Sequence, residues 1–101
     1  MKKTYTFEAT LWLYPGKAAW HFITLPQDVA KDIDFYFAHE KRGWGSLPVQ
    51  VSLNGNIAWK TSIFTDSKTQ SFLLPVKSEV RKKTGIKAED IVGVTLELGI
   101  L

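Results

Sequence analysis

A chain of 101 residues with a net charge of +3 and no cysteine has room for one core, and it excludes a disulfide framework and any cysteine-ligated metal. Its 45% hydrophobic and 23% charged residues are those of a folded domain rather than a disordered one. Lys2-Lys3 is followed by no apolar leader-like run, Glu8 interrupting it, and no stretch approaches transmembrane length, so a single soluble, cytoplasmic domain over residues 1–101 with no membrane association is expected.

Thr4 to Tyr14 alternates, with Tyr5, Phe7, Ala9, Leu11 and Leu13 on one face and Trp12 and Tyr14 on the other. That is the pattern of a half-buried strand. Pro15-Gly16-Lys17 suits a type II turn into a second strand over Ala18–Leu25, which Leu25-Pro26 ends. Val29, Ile33, Tyr36 and Phe37 then have helical spacing, predicting a helix from about Asp28 to about Glu40. Arg42 to Ser46 reads as a loop, and Val49, Val51 and Leu53 as a third strand. Asn54-Gly55 is a strong hairpin signal leading into a fourth strand over Ile57–Thr65. Phe72-Leu73-Leu74 is a continuous apolar run, as in a strand covered on both faces, and Pro75 ends it. A short helix follows from Ser78, a good N-cap, to about Thr84, with Val80 as its apolar anchor and Gly85 as a left-handed terminator. Val92, Val94, Leu96 and Leu98 mark the last strand.

The pattern predicts a mainly β fold: a small closed β-barrel of about six strands, with two short capping α-helices. Phe22 through Leu25-Pro26 to Val29 is similar to Phe72 through Leu74-Pro75 to Val80, so the strand–Pro–helix unit reads as occurring twice, as in a pseudo-two-fold barrel with a helix at each end.

The stretch from Phe7 to Pro26, the hairpin after it and the run from Phe72 through Leu74-Pro75 and Arg81 to Leu98 resemble the domain-of-unknown-function family nineteen-oh-five. The resemblance implies a small double-split β-barrel capped by helices and carries no catalytic residues. Some members carry a second domain like the YdeI/OmpD-associated bacteriocin-protection proteins, an association not expected from these residues. The tail also looks like the half-barrels of AbrB- and MazE-like regulators, which are DNA-binding dimers, although here one chain holds both halves.

Candidate chemistry is sparse. His21 and His39 lack ligand spacing, so no metal is expected. Asp28, Asp32 and Asp34 read as a solvated helix face whose first turn complements the dipole. Gly43-Trp44-Gly45 precedes a strand rather than a helix and fails as a phosphate loop. Ser46, Ser62 and Ser71 have no base partner in the pattern. No catalytic residue and no cofactor are expected. The basic residues are concentrated, since residues 77–87 hold Lys77, Arg81, Lys82, Lys83 and Lys87 against the single acid Glu79. Lys60, Lys77, Arg81, Lys82 and Lys83 are therefore the anion-binding candidates, against the plainer reading of a solvated helix end. Trp12, Tyr14 and Trp44 are the interaction candidates, against packing under a capping helix, while Trp20 and Trp59 read as core. The sequence thus predicts a monomeric, non-catalytic binding or interaction module for an unidentified protein or small molecule. The alternative is weak nucleic-acid or anion binding through Lys77–Lys83.

Overall fold

Alternation along each strand decides which side chains meet, and in the computed structural model, which describes residues 1–16 and 18–99, it closes six antiparallel strands into a barrel. The elements are β1 (Lys3–Leu13), β2 (His21–Thr24), α1 (Gln27–Phe37), β3 (Ser46–Leu53), β4 (Ile57–Asp66), β5 (Ser71–Pro75), α2 (Ser78–Thr84) and β6 (Ile91–Leu98). Single 3-10 turns occupy Ala38–Glu40 and Gly43–Gly45. The order round the barrel is β1-β2-β5-β4-β3-β6, with β6 returning to β1. Leu47, Val49, Val51 and Leu53 of β3 and Val92, Val94, Leu96 and Leu98 of β6 are buried inside it, with Leu11, Ile23, Ile63 and Leu74 from the other strands. Among the described residues no helix is long and apolar enough to cross a membrane.

The pairings are unchanged when β1 is exchanged with β4, β2 with β5 and β3 with β6. The exchange centres on the β2–β5 pair, where Ile23 lies opposite Leu74. Leu25 N–H donates to Phe72 O at 3.0 Å, and its counterpart Val76 N–H donates to His21 O at 2.9 Å. The helices begin at Gln27 and Ser78, so each of these residues is 51 positions from its equivalent. The structural repeat is thus offset from the Leu-Pro similarity in the sequence: Leu25 is equivalent to Val76, not to Leu74. Because β2 and β5 run antiparallel, the helices that follow them leave at opposite ends of the barrel.

Several local expectations change. The second strand covers only His21–Thr24, because Ala19 takes a positive φ of 51° and breaks the extended run before it. The proposed Pro15–Lys17 turn includes Lys17, which lies outside the described residues. β3 begins at Ser46 and carries Pro48 in its interior, at a point where it pairs with β4 while pairing with β6 begins only at Gln50. A missing N–H there leaves no ladder bond broken. Asn54 and Gly55 both have positive φ, 50° and 71°, as a type I′ hairpin needs. Lys77, not Ser78, is the N-cap of α2, and no side chain caps the helix; Gly85 terminates it at φ 75°, as expected.

α1 lays Ala30, Ile33 and Phe37 on the core. Asp32 keeps a partly solvated carboxylate, as expected, but it also accepts hydrogen bonds from Lys3 Nζ at 2.7 Å and from the Tyr5 hydroxyl at 2.6 Å, tying the helix to the start of β1. Lys3 Nζ also lies 3.9 Å from the centre of the Tyr36 ring. The Lys3 and Tyr5 hydrogen bonds hold the Asp32 carboxyl below its ordinary pKa. Burial, then Asp32 itself, pushes the Tyr5 hydroxyl up. A lowered folded-state pKa contributes stability that is full above the unfolded value, about 3.9 for Asp, and is lost as pH falls through the folded value. Asp32→Asn is therefore expected to lower the melting temperature at neutral pH, with the gap to wild type narrowing below about pH 4; thermal melts across that range check this. Phe37→Ala should cost about 3–5 kcal/mol in denaturant unfolding, as a large core truncation.

Candidate functional site on the barrel exterior

The parity that sends Ile23, Leu74 and Phe72 inward sends Phe22, Leu73, Pro75, Ser62 and Phe64 outward. Phe22 lies opposite Pro75, and Leu73 opposite Phe64, so β2, β5 and β4 present an apolar floor on the outside of the barrel. No helix covers it. The sequence expectation of cover on both faces of β5 is met inside by the core, while Leu73 and Pro75 line an open groove. The groove has a volume of about 1260 Å³.

Two tryptophans edge this floor. Trp20, 59% exposed, lies just before β2, so it is not core as its size suggested. Trp44, 90% exposed, lies just before β3. Its backbone has φ 63°, a conformation that costs a bulky residue about 1–3 kcal/mol and persists only when its surroundings enforce it. The enforcement is visible. Arg42 N–H donates to Ser46 O, and Gly45 N–H to Arg42 O, both at 2.9 Å, while the Thr65 hydroxyl of β4 donates to Gly45 O at 2.9 Å. A Cβ on Gly45 would lie 2.3 Å from that hydroxyl oxygen, so the position admits only glycine.

The basic candidates separate by helical geometry. Lys77, Ser78 and Arg81 share one face of α2 and line the groove with Lys60 of β4. Val80 points into the core, and Thr84 donates back to Val80 O at 2.8 Å. Arg81 Nε donates to Val76 O at 3.3 Å, which holds its guanidinium along the groove wall. Lys82 and Lys83 do not line it. Among the described residues, three cations therefore face one apolar floor and no carboxylate lines it.

The aromatic candidates divide too. Trp44 belongs to the groove. Trp12 and Tyr14 do not line it, nor do they lie beneath a capping helix; they form a cluster with Trp20 and Phe22, ring centres 5.5 to 6.5 Å apart, with Trp12 Nε1 donating to Thr24 Oγ1 at 2.9 Å. Trp20 and Phe22 thus join the cluster to the groove. Trp59 packs against the core, as expected. His21 lines the groove and donates Nδ1–H to Ala19 O at 2.9 Å. Among the described residues no group of three His, Asp or Glu side chains converges to hold a metal.

Sequence reasoning missed Trp20, Phe22, Phe64 and Leu73 as surface residues, although parity carried the signal. Leu25, the last residue before Pro26, is buried, so Ile23 faces inward with it and Trp20 and Phe22 face outward beside Trp12.

A closed, antiparallel six-stranded barrel with two helices and an open exterior groove is a small barrel domain. The family model described as Domain of unknown function (DUF1905) matches residues 7–96, and the chain belongs to that family. No curated protein matches it.

The loop and its tryptophan are separable by mutation. Gly45→Ala should destabilise by more than about 1 kcal/mol, lowering the melting temperature by at least about 4 °C. Trp44→Ala should stay within about 0.5 kcal/mol of wild type, as for an exposed residue that makes no core contact.

Proposed function

We propose that this domain is a non-catalytic binding module whose working surface is the groove, and that its partner carries negative charge beside flat apolar groups. The observation that carries this reading is the convergence of Lys60, Lys77 and Arg81 with Trp20 and Trp44 on one uncovered apolar floor without a carboxylate. Concave, apolar surfaces with a few convergent polar groups are where partners bind, and exposed tryptophan and arginine are enriched at interaction surfaces. The module acts as a monomer, a reading supported by the two equivalent halves within one chain that already close the barrel. The alternative, anion binding along all of α2, is less well supported, because Lys82 and Lys83 lie off the groove.

Two charge-matched variants test the assignment. Lys60→Glu with Lys77→Glu should largely abolish salt-sensitive retention on an anionic column, whereas Lys82→Glu with Lys83→Glu should keep most of it. All four lysines are exposed, so both variants should fold. Equal loss in the two would place the electrostatic surface outside the groove and overturn the reading.

A further inference from the structure

We infer that the groove binds single-stranded nucleic acid, its bases stacking on Trp20 and Trp44 while Lys60, Lys77 and Arg81 hold phosphates; this rests on the reading of the groove as the binding surface. A single strand offers both chemistries the groove is built for, and offers them side by side. Non-specific single-strand sites combine a positive groove that follows the backbone with aromatic rings on which successive bases lie. Here the cations gather at the end of the floor where α2 begins, and the floor between the two tryptophans is apolar.

The arrangement across the sheet sets the scale. Trp20 precedes β2, and Trp44 precedes β3, whose first residue, Ser46, lies opposite Phe64 of β4. From β2 across β5 and β4 to β3 is three strand spacings, roughly 14 Å. Along the strands the registers set Trp20 level with Lys60 of β4 and Trp44 level with Asp66, roughly 20 Å further, so the rings are separated by several stacked bases with Phe22 and Phe64 between them. Trp44 is 90% exposed and held in a strained backbone by Thr65 and the Arg42–Ser46 hydrogen bonds. A stacking platform needs a ring presented to solvent from a fixed backbone, and Trp44 is one.

Other occupants match the page less well. A duplex keeps its bases stacked on each other, so its phosphates would meet the cations while both tryptophans stayed unused. A second copy joined groove to groove would set three cations against the same three. An acidic peptide would satisfy the lysines and Arg81 but supplies no regular series of flat faces for the rings.

The test is titration of the intact chain with an eight-residue oligothymidylate at 50 mM salt, read by tryptophan fluorescence and by anisotropy of the labelled oligomer. An eight-base-pair duplex and a polyglutamate of matched charge are titrated alongside. Binding by the oligothymidylate in preference to both, with quenching of tryptophan emission, is the expected result. Three phosphate contacts to a single strand give a log–log salt slope of about −2, hence a roughly 20-fold loss between 50 and 200 mM salt. Trp44→Ala should weaken binding between about 5- and 150-fold, the range for losing one stacked base. Lys60→Glu with Lys77→Glu should remove it, and Lys82→Glu with Lys83→Glu should leave most of it. Tighter binding of the duplex, or affinity indifferent to Trp44→Ala, would overturn the inference. Preferential binding of polyglutamate that depends on Lys60 and Lys77 would overturn it too, while leaving the groove as the binding surface. No binding of any of the three probes, with column retention equal in the two charge-matched variants, would remove both.

Discussion

The barrel depends on the short antiparallel pair between β2 and β5. Only three residue pairs make it, with Ile23 opposite Leu74 at the centre. Yet this seam is one of the two places where a strand pairs with its own equivalent, β3 with β6 being the other, and it is extended at each end by a hydrogen bond from the residue that leaves the strand, Leu25 N–H to Phe72 O and Val76 N–H to His21 O. Without that seam β1-β2 and β5-β4 would each expose an edge, and unpaired edges invite association. With it, the sheet closes, the core is enclosed, and the helices are directed to opposite ends. Short strands are sufficient here because each inward residue on them, Ile23, Phe72 and Leu74, is buried.

The same seam makes the groove. An extended strand gives its two faces to different surroundings, so the residues that alternate with the core ones have to go somewhere. On β3 and β6 the outward positions are Gln50, Ser52, Thr95 and Glu97, which suit water. On β2 and β5 they are Phe22, Leu73 and Pro75, which do not. An outward apolar strip left uncovered departs from what burial alone would select, as do the single exposed residues Phe35 and Ile91. Lys60, Lys77 and Arg81 stand beside that strip, while Lys82 and Lys83 lie off it.

Much of the fold was legible in the sequence. Asn54-Gly55 specified its hairpin, because a turn with two positive-φ residues suits few other pairs. Gly85 ended α2 for a similar reason, and strict alternation gave β1, β3 and β6. What was not legible came from three sources. Residue type overrode parity at Trp20, where a large ring suggested core although its place one residue ahead of β2 sets it with Trp12 and Phe22 outside. Local capping preference failed at Ser78, since packing of Val80 sets where α2 begins and Lys77 takes the cap position. Asp32 looked like one of several surface acids, and only the tertiary fold brings Lys3 and Tyr5 to it across 27 and more residues. The site was half legible in the same way. Lys77 and Arg81 could be singled out from the local charge, but dividing them from Lys82 and Lys83 required the helix phase that burial of Val80 fixes.

The internal symmetry has a consequence for how a single binding face can arise at all. Two identical half-chains joined about a two-fold axis would present the same residues on both flanks of the seam, so they would have two grooves or none. Holding both halves in one polypeptide releases that constraint. On the β1 flank Trp12 and Tyr14 pack with Trp20 and Phe22 and close the exterior over. On the β4 flank Lys60 and Ser62 leave it open. The inward faces stay alike enough to keep the barrel symmetric, and the outward faces are free to diverge, so the framework and the surface it displays answer to separate selective pressures.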